Sequence, residues 1–150
     1  MGRAVGSTNG STSVIVTGSP RTPLGGDRSV VVDVPARQGS LRLIRLAVAD
    51  AAAALDMDES RIEGARIAVD ELATILITSS EWSRLRVRCD SSGGRLRVEG
   101  IAAGALGHVG EVRMDRVVKE LLGLSVETYG LSEGPGFWFT VDAPEPRRAR

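Results

Sequence analysis

RLRVRCDSSGGRLRVEGI, residues 84–101, is the stretch that decides the fold. Its first arm sets Leu85, Val87 and Cys89 on one side and Arg84, Arg86 and Arg88 on the other. The second repeats the pattern, with Leu96 and Val98 opposite Arg95, Arg97 and Glu99. Successive side chains of a strand point to opposite faces, so each arm predicts a strand with one apolar face. The SSGG between them predicts a tight loop, and the whole stretch a hairpin. An apolar sheet face must be covered, and the flanking segments must cover it.

Upstream lies IAVDELATILITSS, residues 67–80. Steps of roughly 100° put Ile62, Ala65, Val69, Leu72, Ala73 and Leu76 on one stripe of a helix that Asp58 is placed to cap. Glu71 falls opposite, bracketed by Ile67 and Ile75 and accompanied by Thr74 and Thr78. A carboxylate between isoleucines is odd on a side that should meet water. Before this helix, Ser40 is placed to cap another, from Leu41 to about Leu55, with Leu43, Leu46, Ala47, Ala51 and Ala54 as its inward stripe. Arg45 then lies on the outer side, with Arg42 one turn back. SVVVDVPA, residues 29–36, predicts a strand.

Downstream, the Gly/Ala stretch IAAGALGHVG (101–110) leads to an amphipathic helix near MDRVVKELLG (114–123). Asp115 is its expected cap and Gly123 its expected stop. LSVETYG (124–130) and FWFTVDA (137–143) close the chain as a second hairpin about the turn LSEGPG. The order β-α-α-β-β-α-β-β predicts an α+β fold: a two-layer α/β sandwich whose mixed, mostly antiparallel sheet carries its helices on one face. The folded domain is expected over 29–142. Residues 1–28, rich in Gly, Ser, Thr and Pro, are expected to form a disordered tail, in which Val14–Val16 lack flanking support for a strand. Residues 143–150 form a polar tail.

At 150 residues the chain suits a single domain with a proper core. Its formal net charge is zero, from eighteen arginines, one lysine and nineteen carboxylates. That balance gives no global electrostatic case for nucleic acid or an anionic membrane. One cysteine, Cys89, excludes an intramolecular disulfide and a CxxC-type metal site. His108 has no ligand-spaced partner, so no metal ligands are expected. With no apolar run of membrane-spanning length and no signal peptide, a cytoplasmic location is expected.

The order of elements, the segment PARQGSLRLIRLAVADAAAALDMDESRIEGARIAVDEL (35–72) and the closing hairpin resemble the bacterial anti-sigma factor/serine protein kinases, of the GHKL superfamily with its Bergerat fold. The resemblance covers roughly residues 29–142. It implies an ATP pocket between helices and sheet, where a helix Glu acts as general base and an Asn four residues on holds magnesium. Glu71 matches the Glu, but the Asn position falls on Ile75, and magnesium takes oxygen ligands. The family's Asp-x-Gly-x-Gly, whose Asp binds adenine, is here Ala102-Ala103-Gly104. Gly104, Gly107 and Gly110 could still bring backbone close to a ligand, while Glu99, the nearest carboxylate, falls on the arginine face. The resemblance thus implies a vestigial nucleotide site, with no working ATP–magnesium cofactor and no kinase step.

The resemblance further implies a stress-response regulator that sequesters a sigma factor and is released by an anti-anti-sigma protein of STAS type. Contacts would be made around Arg42 and Arg45, and the protein would be a homodimer through its sheet. The alternative is an active ATP-dependent kinase that phosphorylates its antagonist on serine, with Glu71 as base. Two blander readings stand beside these. Glu71 could be a surface glutamate paired with Arg66 or Arg42. The arginine face could be a solvated surface with Asp90, Glu99 and Glu127 as counter-charges, instead of a contact for an acidic partner or a second copy.

Overall fold

The alternating arms become the centre of a six-stranded sheet. A computed structural model describes residues 10–17 and 27–145. In it β3 (Trp82–Ser92) and β4 (Arg95–Ala105) pair antiparallel, with Ser92 opposite Arg95. Gly93 and Gly94 make the turn at φ +57° and +73°. Two consecutive left-handed residues match the twist of the flanking strands, and glycine adopts them without a steric penalty. β2 (Arg28–Pro35) lies against β3, and β1 (Ser13–Thr17) against β2. On the other side β6 (Gly136–Asp142) lies between β4 and β5 (Thr128–Ser132), giving the order β1-β2-β3-β4-β6-β5.

Every pairing described is antiparallel, so the sheet expected to be mostly antiparallel is antiparallel throughout. The connections explain it. A pair of helices joined by a short link returns the chain beside the strand it left, so β3 runs against β2. β5 runs in the same direction as β4, but its hairpin partner β6 is inserted between them.

The helices are α1 (Leu41–Ala53), α2 (Glu59–Ser79) and α3 (Arg116–Ser125). They cover the face carrying Val30, Val32, Val34, Leu85, Val87, Cys89, Leu96, Val98, Phe137, Phe139 and Val141, all buried. From the helix side the core receives Ile44, Val48, Val69, Leu72 and Leu76, each fully buried. The α+β two-layer architecture follows from that single covered face.

α2 and α3 start as expected. Asp58 accepts a hydrogen bond from the Arg61 amide at 2.9 Å, and Asp115 one from the Val118 amide at 2.8 Å. Three local expectations need correction. Ser40 does not cap α1: it ends a short 3-10 turn, Gln38–Ser40, and already has helical dihedrals, so its side chain makes no cap bond. The buried side of α1 is Leu41, Ile44, Val48, Ala49, Ala51 and Ala52, while Leu46 is 65% exposed. LRLIRLAVADAAA is apolar around most of its circumference, and packing on the sheet chooses the stripe. Gly123 does not stop α3, which runs on to Ser125, where the Ser125 hydroxyl bonds the Leu121 carbonyl at 2.7 Å.

The expected N-terminal tail also needs correction. Val14, Ile15 and Val16 belong to β1, paired along its whole length with residues 29–33 of β2. The missing support comes from a strand more than ten residues away, whose free edge offers unpaired backbone groups. The remainder of that tail, residues 1–9 and 18–26, and residues 146–150 lie outside the described residues. At the other end Ala143 is tied to the β3–β4 turn by its amide, 2.7 Å from the Gly94 carbonyl.

Candidate functional site

Regular helix geometry puts Ile67, Glu71, Thr74, Ile75 and Thr78 on one side of α2, away from the core stripe. All but Thr78 are half-buried. Thr78 turns its hydroxyl back onto the Thr74 carbonyl at 2.8 Å. Among the described residues the Glu71 side chain makes no hydrogen bond and no ion pair, while its backbone belongs to the α2 ladder. Arg66 is held instead by Glu63, at 3.3 Å one turn back, so the pairings considered for Glu71 do not form. Position 75 presents only hydrocarbon.

The glycine stretch continues β4 as far as Ala105 and then passes the C-terminal end of α2. Gly104, at φ +70°, packs so closely on Ser83 that a Cβ would run into the Ser83 hydroxyl. The Leu106 amide bonds the Glu81 carbonyl at 2.7 Å, and Ser80 donates to the His108 carbonyl at 2.9 Å. Gly110 gives its amide to the Ser79 carbonyl at 3.3 Å, whereas Gly107 is exposed. Gly104 and Gly110 are thus engaged with the chain's own atoms. Glu71 lies eight residues before Ser79, about 12 Å along the helix axis. The hydrogen bonds bring the glycine loop to the end of α2, not to Glu71.

A cleft of about 730 Å3 opens elsewhere, between the first half of α2 and the end of α3. Arg61, Glu63, Ile67, Leu124 and Glu127 are among its lining residues. Gly64 forms its floor, where a Cβ would collide with the Ser125 carbonyl oxygen. A glycine in mid-helix was the available sequence signal for such a close crossing.

On α1, Arg42, Arg45 and Leu46 are exposed. Arg45 reaches across to α2, its guanidinium 3.2 Å from Asp70. Arg42 makes no ion pair among the described residues. The three side chains form a small outward patch of one apolar and two cationic groups, of which sequence reasoning missed Leu46. The Arg45–Asp70 pair spans twenty-five residues, and no local pattern announces it.

All five arginines of the uncovered sheet face are ion-paired. Asp33 takes Arg84 at 2.8 Å and Arg86 at 3.4 Å, Asp90 takes Arg88 at 2.9 Å, and Glu99 takes Arg97 at 2.7 Å. Asp142 takes Arg95 at 2.6 Å. Two of the expected counter-charges are found here. The third, Glu127, accepts the Asp142 amide at 3.2 Å instead. Arg97 also lies 5.2 Å from the Trp138 ring centroid, a cation–π distance.

Among the described residues no group of three or more His, Cys, Asp or Glu is placed to hold a metal ion. No described helix is long and apolar enough to cross a membrane. Searches against protein-family models and against curated proteins return no match.

Proposed function

We propose that the chain is an anti-sigma-factor-like regulator that works by binding, with a nucleotide site that no longer operates. The observation that carries this reading is the outward face of α1. Arg42, Arg45 and Leu46 are exposed together there, and by the resemblance Arg45 matches an arginine with which that family contacts its sigma factor and its antagonist. Arginines beside an exposed leucine suit an acidic, partly apolar partner surface, and arginine is enriched among residues that dominate interface energies. Sequestration would cover the sigma surface that polymerase needs, and a STAS-type antagonist competing for the same patch would release it. The residues on the pocket side do not fit ATP–magnesium. Ile75 offers no oxygen, the adenine carboxylate is absent, and the Gly110 amide is engaged with Ser79.

The test is binding of the full chain to a panel of purified alternative sigma factors, with Arg42→Glu and Arg45→Glu as variants. The expected result is capture of one sigma factor, weakened about tenfold or more by each reversal. Capture that both variants leave unchanged, or none across the panel, overturns the reading.

One observation favours the kinase alternative. The Glu71 side chain is half-buried and makes no hydrogen bond or ion pair among the described residues, so neither carboxylate oxygen is tied up by the chain's own groups. Calorimetric titration with ATP, with and without magnesium, separates the two. Binding strengthened by magnesium, followed by phosphate transfer to a candidate antagonist that Glu71→Ala abolishes, would establish the kinase reading; no heat of ATP binding overturns it.

A further inference from the structure

The cleft between α2 and α3 has a helix face for each of its walls. Steps of about 100° put Ser60, Gly64, Ile67 and Glu71 on one side of α2, and the first three of these line the cleft. On α3 the same steps put Val117, Leu121 and Leu124 on one stripe, of which Leu121 and Leu124 line it. Val117 and Leu124 are 72% and 88% exposed. The core contacts of α3 are made by Val118 and the fully buried Leu122, so packing on the sheet does not account for the outer stripe.

The two helices run alongside each other in opposite senses. The loop before α3 is bonded to the end of α2 through the Gly110 amide and the Ser79 carbonyl, while the end of α3 meets α2 at Gly64. One turn back from Leu121 to Val117 therefore leads the same way as one turn on from Ile67 to Glu71. Together the faces make an open trough, aliphatic along its middle.

The charges around the trough do not balance. Arg61 and Glu63 are already paired, with Asp58 at 2.8 Å and Arg66 at 3.3 Å. Arg116, beside the stripe, is paired with Glu120 at 3.2 Å, and Lys119 falls on the opposite side of α3. Two carboxylates are left over. Glu71 stands at one end, its side chain without a hydrogen bond or ion pair among the described residues. Glu127 stands at the other end, just past α3, where its side chain accepts the Asp142 amide. Arg95 feels the Glu127 charge but is bound to Asp142. From Gly64, level with the end of α3, to Glu71 is seven residues, roughly 10 Å along the helix axis.

We infer that the trough docks one amphipathic helix of a partner protein, with an aliphatic stripe and a lysine or arginine at each end of it, about two turns apart. A helix laid into an apolar groove anchors through side chains at i, i+3, i+4 and i+7. Such a stripe covers Ile67, Leu121 and Leu124, while the basic ends meet Glu71 and Glu127. The aliphatic middle by itself would accept many apolar segments; the two unbalanced carboxylates select a basic one and reject an acidic one. The exposed patch on α1 is cationic, so the two surfaces suit partners of opposite charge. The site does not rest on the sigma-factor reading. It also gives the carboxylate between Ile67 and Ile75 a use that needs neither nucleotide nor metal.

Fluorescence anisotropy of the full chain with a labelled synthetic peptide tests the site. The probe is an alanine-based helix with leucines at i, i+3 and i+7 and a lysine at each end of that stripe. A twin with glutamate for lysine and a twin with alanine for leucine are compared with it. The lysine–leucine helix should bind saturably, and each twin about tenfold or more weakly. Leu124→Asp should abolish the binding. Glu71→Lys combined with Glu127→Lys should turn the preference toward the glutamate twin, with circular dichroism verifying that the variants fold. A merely structural role of the two carboxylates would not produce that reversal. No binding of the lysine–leucine helix, or equal binding of all three peptides, overturns the proposal, as does binding that Leu124→Asp leaves unchanged. A preference for lysine that survives the double reversal overturns the assignment of Glu71 and Glu127.

Discussion

Cys89 shows how one side chain can be legible in sequence and still acquire its chemistry from the fold. Alternation along β3 already placed it on the apolar face, and it is fully buried there between Val30 and Val98 on the neighbouring strands. Burial, aided by the nearby Asp90 charge, pushes its thiol from 9.0 up to about 12. The folded protein therefore keeps a proton that the unfolded chain releases between these values. The stabilisation is complete below pH 9 and declines as pH rises toward 12, by up to about 4 kcal/mol at 1.36 kcal/mol per pH unit. Urea unfolding followed across this range should show the decline, and Cys89→Ala should flatten it. A thiol reagent at neutral pH should label Cys89 only as fast as the protein opens. Glu71 is the opposite case. Its odd position between two isoleucines was visible in the sequence, but its side chain's lack of a hydrogen bond or ion pair among the described residues appears only in three dimensions.

Between elements, the crossing of α2 and α3 sets the sharpest constraint. Gly64 meets the backbone carbonyl of Ser125, and neither side has a flexible end that can yield. Gly64→Ala should gain up to about 1 kcal/mol in helix propensity and lose about 1–3 kcal/mol to overpacking. Net destabilisation, read as a lower urea midpoint with an unchanged slope, is expected. A stabilised variant would show that the crossing can open. The elements also show where local pattern suffices. α2 was legible because its six predicted core positions form one clean stripe and Asp58 caps it. α1 was misphased because apolar residues occur all around it, so only contact with β2 and β3 selects Ile44 and Val48 and leaves Leu46 outside. That error concealed the leucine in the patch to which the proposed function is assigned. β1 was missed for a related reason: a five-residue strand is stabilised by its pairing with β2, not by its own composition.

Over the whole molecule, the uncovered sheet face is a closed set of charges. Its five arginines meet Asp33, Asp90, Glu99 and Asp142, and most of these groups remain substantially exposed. Exposed pairs contribute about 0–1 kcal/mol each, and salt screens them. Raising salt to about 1 M, where the Debye length is about 3 Å, should therefore shift unfolding free energy by only about 1–2 kcal/mol. A much larger loss would mean that the ladder holds the sheet together. The sequence by itself determined the central hairpin, the existence of three helices, the covered and uncovered faces and the α+β class. Each follows from side-chain periodicity, which local backbone geometry imposes on the chain. Only the tertiary structure decided the wholly antiparallel order, the phase of α1, the free edge at β1 and the neighbours of Glu71. Those depend on which distant segment supplies a hydrogen-bonding edge or a packing surface, and periodicity along a segment carries no information about what lies across from it.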